Sequence, residues 1–157
     1  MLLFVIILSL TLQPGLSKPE PCANKVEKKR HDTFHDRHLN DGIPENVDIG
    51  KWQNFIKDWS RKIQSFFPKA DHETVESVCS KGGKRYNDNL CISNEPIKFY
   101  TAHVNTTAKK VKEVEFITDQ HVILACDKIN TKNKCLPVHF EANVNKAKPE
   151  DKALPCS

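Results

Sequence analysis

The sequence predicts an α+β domain with an antiparallel sheet, held together by disulfide bonds. Helical patterns occupy the first half of the chain and strand patterns the second half. All six cysteines lie beyond the N-terminal segment, and an even number in an exported chain indicates disulfides rather than thiol catalysis. A chain of 157 residues has a modest core, so covalent links would add useful stability.

The N-terminal segment, residues 1–17, is predicted to be a secretory signal peptide. An almost wholly apolar run precedes small residues at the spacing that a signal peptidase accepts, and we expect cleavage after Ser17. This run is too short to span a bilayer comfortably, and no later segment is apolar enough to do so. We therefore expect residues 18–157 to form one secreted, extracellular domain.

Three helices are predicted, over residues 26–39, 50–64 and 71–79. The last of them is expected to begin at Asp71 as its N-cap and to bury Val75 and Val78. The middle helix has the clearest pattern, because large apolar residues recur on one face. This apolar stripe consists of Trp52, Phe55, Ile56, Trp59 and Ile63.

Four strands are predicted from runs of β-branched and aromatic residues, over 96–104, 111–118, 121–126 and 138–144. The last run alternates strictly, so its side chains should divide between two faces. One face is expected to carry Val138, Phe140, Ala142 and Val144, and the other His139, Glu141 and Asn143.

The net charge indicates a class of binding partner but does not identify one member of it. Twenty-four Lys and Arg against twenty Asp and Glu give a net charge of +4. A mildly basic surface suits a polyanion such as RNA, an anionic glycan or an anionic cell surface. His31, His35 and His38 share one helix face and could bind a metal ion, but a solvated polar helix is the favoured interpretation. No metal or other cofactor is expected.

The end of the chain carries the most specific signal. The segment His121-Val-Ile-Leu-Ala-Cys126, followed by Cys135-Leu-Pro-Val-His-Phe-Glu141, closely resembles the end of pancreatic-type ribonucleases, the ribonuclease A superfamily. In that family the second segment carries a catalytic histidine, here His139, and Glu141 replaces the usual Asp. The region 80–94 also resembles a loop and strand of angiogenins. The resemblance covers about residues 26–145 and implies about three helices packed on a curved antiparallel sheet.

Upstream residues extend the resemblance. Phe34-His35-Asp36-Arg37-His38 resembles the family's first helix, which implies that His38 is the second catalytic histidine and that Arg37 contacts phosphate. The segment 61–67 resembles the stretch with the catalytic lysine and the Thr that reads the base. The preferred register puts Lys62 on the lysine and Phe66 on the Thr. One inserted residue instead puts Arg61 on the lysine and Ser65 on the Thr.

These residues imply metal-free RNA cleavage that uses the ribose 2′-hydroxyl as nucleophile and gives a 2′,3′-cyclic phosphate. His38 would be the base and His139 the acid, because histidine titrates near working pH. Lys62 would stabilise the charge that grows on the phosphoryl oxygens, and Glu141 would orient His139. The alternative is a secreted ribonuclease-like binding protein with weak or lost activity, acting in host defence, at cell surfaces or in reproduction.

Two kinds of covalent feature complete the predictions. Asn105-Thr106-Thr107 is a glycosylation sequon in an exported chain, and the protein is expected to be a monomer. Four of the six cysteines lack a partner from the resemblance and can pair in three ways. The expected pairs are Cys79–Cys126, which the resemblance implies, Cys91–Cys135 and Cys22–Cys156.

Overall fold

Three short helices and eight strands make up residues 20–157, which the computed structural model describes; the predicted signal peptide lies outside this region. The helices are α1 (Lys28–His38), α2 (Ile49–Phe55) and α3 (His72–Ser77). The strands are β1 (Lys25–Val26), β2 (Ile63–Phe66), β3 (Gly83–Asn87), β4 (Leu90–Ser93), β5 (Phe99–Asn105), β6 (Lys110–Ile117), β7 (Ile123–Ile129) and β8 (Lys134–Glu141). Among these residues, no helix has the length and apolar character needed to cross a membrane.

The strands form two sheets, and β7 is the centre of the larger one. It pairs with β8 along its whole length and with β4 and β1 on its other side, and β3 completes this sheet beyond β4. The smaller sheet has the order β2-β5-β6. Every pairing is antiparallel except the short contact between β1 and β7. The predicted α+β class with an antiparallel sheet is therefore confirmed.

Two apolar clusters hold the layers together. The first packs α1 and α3 against the larger sheet, with Phe34, Phe67 and Leu124 almost fully buried. The second surrounds Trp52 of α2, which is fully buried against Phe66 and Tyr100 of the smaller sheet. The adjacent residues Phe66 and Phe67, at the end of β2, belong to the second and the first cluster, so the two clusters meet beside the end of α1.

The predicted helix over 50–64 is wrong in its second half. Helix α2 ends at Phe55, because Ile56 has extended backbone angles (φ −61°, ψ 124°). The Asp58 side chain then accepts the Ser60 N–H (2.9 Å) in a tight turn, which favours a turn over a continued helix. Ile63 opens β2 and is 58% exposed. The rest of the stripe does pack in or against the second cluster: Trp52, Phe55, Ile56 and Trp59.

The last strand begins and ends earlier than the alternation predicts. Strand β8 ends at Glu141, so Val144 is 81% exposed while Asn143 is buried. Asn143 is buried because its side chain bonds the His121 and Ala147 carbonyls (2.8 and 3.0 Å). Helix α3 follows the prediction more closely, since it buries Val75, but a 3₁₀ turn precedes it in place of a side-chain cap.

The disulfide pairing matches the expectation at one bond and differs at two. The structure contains the implied Cys79–Cys126 bond. The expected bonds between Cys91 and Cys135 and between Cys22 and Cys156 are wrong. The bonds present are Cys22–Cys135 and Cys91–Cys156.

The segments that carry Cys22 and Cys156, at the two ends of the described region, explain the difference. The C-terminal segment lies along β3, where the Cys156 N–H donates to a β3 carbonyl (3.0 Å), so Cys156 reaches Cys91 on the neighbouring strand β4. At the other end, the Cys22 N–H donates to the Cys126 carbonyl of β7 (2.9 Å), and the adjacent strand β8 carries Cys135. Contacts of this kind join distant parts of the chain, so cysteine spacing alone cannot reveal them.

Candidate active site

A cleft of about 290 Å³ opens between the end of α1, the start of β2 and the end of β8. It contains both predicted catalytic histidines, although 101 residues of sequence separate them. Its lining residues are Arg37, His38, Arg61, Ile63, Ser65, His139, Phe140 and Ala142. The fold therefore assembles two titratable side chains and two cations at one place.

His38, the last residue of α1, is fixed by the neighbouring strand β2. Its Nδ1 lies 2.7 Å from the Ser65 carbonyl oxygen, and its own carbonyl accepts the Phe67 N–H at 2.9 Å. A carbonyl oxygen can only accept, so Nδ1 carries the hydrogen and Nε2 keeps its lone pair. The sequence forms this contact because Phe34, one turn earlier, packs into the core and draws the same helix face inward.

The environment of His38 keeps its imidazole neutral. Burial lowers the pKa of His38 to about 4, and the positive charges of Arg61, His139 and Arg37 act in the same direction. The bond to the Ser65 carbonyl opposes this shift but is weaker than burial. A neutral histidine with a free Nε2 is the form that can accept a proton.

His139 has the opposite surroundings. Its side chain is 61% exposed, and Nε2 lies 3.2 Å from Oε2 of Glu141, two residues along the same face of β8. Phe140 points to the other face and packs against the core cluster, which fixes the strand. Because Glu141 accepts a hydrogen bond from Nε2, the Nδ1 nitrogen of His139 is free for other partners.

Arg61, and not Lys62, lines the cleft beside the histidines. Arg61, Ile63 and Ser65 alternate along the extended chain, so they share one face, while Lys62 is exposed and lies outside the cleft lining. The contact of His38 with Ser65, rather than Phe66, belongs to the same register. This geometry favours the alternative alignment on Arg61 over the preferred one on Lys62.

Two residues that the sequence did not single out hold Arg61. Its Nε donates to Oδ2 of Asp58 (3.1 Å), and its Nη2 donates to Oε1 of Gln64 (3.1 Å). Gln64 is itself fixed by donating to the Asp58 carbonyl (2.6 Å). Hydrogen bonds from Ser60 and then the contact with Arg61 lower the pKa of Asp58 to about 2, so it stays ionised. The spacing Asp-x-Ser-Arg was the signal that could have revealed this turn.

A neighbouring cleft of about 220 Å³ shares four lining residues with the first: Ile63, Ser65, Phe140 and Ala142. The Ser65 hydroxyl lies 3.3 Å from that of Thr101 on β5, so two hydroxyl groups lie at its wall. Most of its surface is apolar. A flat aromatic ring with polar edges suits such a space.

The other sequence motifs lie away from this site. Asn105, at the end of β5, accepts the N–H groups of Thr107 and Ala108 (3.1 and 2.9 Å) with its side-chain oxygen. His31 is buried, with Nδ1 2.9 Å from the Pro137 carbonyl and Nε2 3.6 Å from Glu76. His31 therefore connects α1 to β8 and α3.

Comparison with known proteins identifies the fold. No family model and no curated protein matches the sequence. The ribonuclease SS-RNase-2 des116-120 has 20% identity and a TM-score of 0.54, over 73% of this chain and 97% of its own. Green turtle egg white ribonuclease has 18% identity and a TM-score of 0.55, over 72% of this chain and 97% of its own.

Zebrafish RNase5 has 19% identity and a TM-score of 0.52, over 73% of this chain and 94% of its own. All three matches span nearly the whole of the ribonuclease chain, so the likeness is not confined to one motif. The chain therefore has the fold of the pancreatic-type ribonucleases, as a divergent example of it.

Proposed function

We propose that this protein is a secreted endoribonuclease of the pancreatic type that cleaves RNA without a metal ion. One observation carries the proposal: His38 and His139 line the same cleft in complementary states. The first is buried, neutral and fixed through Nδ1, and the second is exposed and bonded to a carboxylate. A fold shared with ribonucleases supports this assignment.

The proposed reaction is a transphosphorylation within the RNA strand, in which the phosphorus exchanges its bond to the 5′-oxygen for a bond to the ribose 2′-oxygen. Nε2 of His38 takes the proton of the ribose 2′-hydroxyl while the 2′-oxygen attacks the adjacent phosphorus. The bond from phosphorus to the 5′-oxygen breaks, and His139, which enters the step protonated on both ring nitrogens, gives that oxygen the proton of its Nδ1. The products are a 2′,3′-cyclic phosphate and a 5′-hydroxyl, and DNA is not cut because it lacks the nucleophile.

Arg61 is the proposed electrostatic partner, in place of Lys62. Its guanidinium group lines the cleft and can stabilise the negative charge that grows on the phosphoryl oxygens. Arg37, next to His38, supplies a second cation for the phosphate. Glu141 accepts the Nε2–H of His139 and so turns Nδ1, the proton donor of the proposed step, away from the carboxylate, and Ser65 lies where a base would enter the neighbouring cleft.

A second candidate function, an RNA- or glycan-binding protein with little activity, is favoured by the contact between Arg61 and Asp58. The Asp58 carboxylate lies beside the Arg61 guanidinium group, the cation that would stabilise the transition state, and weakens the positive electrostatic potential of that group. Such a protein would retain affinity for polyanions through its net charge of +4.

Cleavage of a dinucleotide in excess EDTA separates the two functions. The oxidised chain from residue 18 onward is compared with His139→Ala and with His35→Gln, an exposed histidine on α1 outside the cleft lining. We expect the parent and His35→Gln to give the cyclic phosphate and His139→Ala to give almost none. Equal cleavage by all three, or none by well-folded parent, would refute the proposal.

Secretion, glycosylation and the monomeric state belong to the same proposal. Three disulfides suit an oxidising compartment, and Asn105 lies in the turn between β5 and β6, where a glycan has room. When the full chain is expressed in a secreting eukaryotic cell, the protein recovered from the culture medium should begin at Lys18. It should lose mass on deglycosylation, and Asn105→Gln should abolish that loss.

A further inference from the structure

A group of three histidines and one carboxylate lies between α1 and α3, outside the catalytic cleft. His31 and His35 are one turn apart on α1, and His72 and Glu76 are one turn apart on α3. His31 faces Glu76, with Nε2 3.6 Å from Oε1. The ring of His35 lies beside both other histidines, with its centre 6.5 Å from that of His31 and 6.3 Å from that of His72. We call these four residues the interhelix cluster.

Two of the three imidazoles are fixed in the way that metal ligands usually are. Nδ1 of His31 donates to the Pro137 carbonyl (2.9 Å), and Nε2 of His72 donates to the Phe67 carbonyl (3.1 Å). A carbonyl oxygen only accepts, so the other nitrogen of each neutral ring keeps its lone pair. A histidine that binds a metal typically donates its second N–H to a carbonyl or carboxylate, which sets its tautomer and ring orientation. His31 and His72 therefore each have one nitrogen available as a ligand.

The contact between His31 and Glu76 requires a cation. His31 is only 3% exposed, and the separation of 3.6 Å between Nε2 and Oε1 is longer than a hydrogen bond. A buried lone pair that faces a carboxylate is repelled by it, unless a proton or a metal ion lies between the two atoms. The other oxygen of Glu76, Oε2, lies 3.7 Å from Nζ of Lys134, which leaves Oε1 for the ion. The additional imidazoles of His35 and His72 favour a metal ion, because a proton needs neither.

The donor set suits zinc. Three imidazoles and one carboxylate give the four nitrogen and oxygen ligands of a closed, tetrahedral structural site. A Zn–N distance of about 2.0 Å puts the centres of two bound rings about 5 Å apart, so the rings must approach by roughly 1 to 1.5 Å. Within the part of the chain that the structure describes, no three of these donor atoms lie within 4.8 Å of one another. Binding therefore needs new rotamers at His35, which is exposed, and at half-buried His72.

We propose that the interhelix cluster binds one Zn²⁺ ion as a four-coordinate structural site. The ligands are Nε2 of His31, one ring nitrogen of His35, Nδ1 of His72 and Oε1 of Glu76. The ion joins α1 to α3 and stabilises the fold, since it binds the folded chain and not the unfolded one. It takes no part in catalysis, because His38 points into the cleft and is bonded to β2 instead.

Isothermal titration calorimetry with zinc chloride tests the site on the oxidised chain from residue 18 onward, prepared without a histidine tag. We expect one Zn²⁺ per chain. His35→Gln, His72→Gln and Glu76→Gln each remove a ligand and should weaken binding by at least about 10- to 100-fold, the usual cost of losing an outer partner of a metal site. Zinc at about a hundredfold excess over its Kd should raise the Tm of the parent by roughly 5 to 10 °C, and that of His35→Gln much less.

Two control variants remove a histidine from elsewhere in the molecule. His103 on β5 also faces a carboxylate, with Nε2 3.1 Å from Oε2 of Glu115, so His103→Gln breaks a matched pair in the smaller sheet. His139→Ala removes one histidine of the catalytic cleft, which is the other place where two histidines meet. Neither change should alter the affinity for zinc. Near-ultraviolet circular dichroism verifies that each variant is folded.

Nuclear magnetic resonance of the parent identifies the ligands without any substitution. Zinc should shift the ring signals of His31, His35 and His72, and a shift confined to His38 and His139 would overturn the site. No zinc binding by the folded parent, equal affinities for the parent and His35→Gln, or loss of binding in His139→Ala would also overturn it. The cleavage experiment is independent of these outcomes, because EDTA keeps the interhelix cluster free of metal in every protein compared there.

Discussion

The two histidines of the cleft have the same side chain and opposite environments. His38, at the end of a helix, is buried and bonded to a backbone carbonyl, and its pKa is lowered to about 4. His139, on a strand, is 61% exposed and bonded to a carboxylate that faces solvent. In the proposed mechanism, therefore, position in the fold rather than residue type decides which histidine accepts a proton and which donates one.

Loss of either histidine should have the largest effect. General acid or base catalysis typically contributes about 10²- to 10⁴-fold, so His38→Ala and His139→Ala should each lower kcat/KM for a dinucleotide by that factor. The double variant should lose little more than the worse single variant, since the pair acts as a unit. Fully multiplicative losses would show that the two side chains work independently.

Arg61 and Lys62 provide a matched pair of neighbouring cations. Arg61→Ala should lower kcat by about 10²- to 10³-fold, the usual cost of losing a group that stabilises transition-state charge. Lys62→Ala should leave kcat within about twofold of the parent, because its side chain lies outside the cleft. The reverse ranking in steady-state kinetics would favour the register that puts Lys62 on the catalytic lysine.

Burial of His38 should also make stability depend on pH. The unfolded histidine has a pKa near 6.5 and the folded one about 4, so the unfolded chain binds more protons between these values. The free energy of unfolding should fall by roughly 3 kcal/mol as pH drops from about 6.5 to 4. Urea unfolding at several pH values measures the free energy of unfolding of the parent and of His38→Asn. The same dependence of this free energy on pH in both proteins would contradict the prediction.

Ser65→Ala should have a much smaller effect on rate than loss of either histidine or of Arg61. The contact to His38 comes from the backbone carbonyl, which Ser65→Ala retains, so the rate on a preferred substrate should change by only a few-fold. The hydroxyl lies at the wall of the neighbouring cleft beside Thr101, so base preference should shift instead. Cleavage rates of dinucleotides that differ in one base measure the base preference of the parent and of Ser65→Ala. An unchanged preference would exclude Ser65 from base recognition.

The sequence predicted best where a pattern is local. The pairs Phe34 with His38 and His139 with Glu141 follow from helix and strand periodicity, and both lie as expected. The stripe that continued to Ile63 looked helical, but the turn at Asp58 ends the pattern and opens β2. A side chain that forms a turn with its own backbone outweighs apolar periodicity over one helical turn.

Features that join distant segments could not be predicted in the same way. The segments around Cys156 and Cys22 pair with β3 and β7 through backbone hydrogen bonds, which carry no side-chain signature, so the disulfide pairing was misassigned. The choice between Arg61 and Lys62 depended on the phase of a short strand, where a shift of one residue exchanges the two faces. The contact from Ser65 to His38 fixes that phase and is visible only in three dimensions.

The pH dependence of kcat/KM for dinucleotide cleavage in EDTA tests the central claim most directly. Its acidic limb reports the pKa of the base in the free enzyme, and the base is active only when neutral. The lowered pKa of His38 predicts that activity persists below pH 6 and is half lost near pH 4. An acidic limb near 6.5, or no cleavage by the folded protein at any pH, would contradict the assignment of His38 as a buried catalytic base.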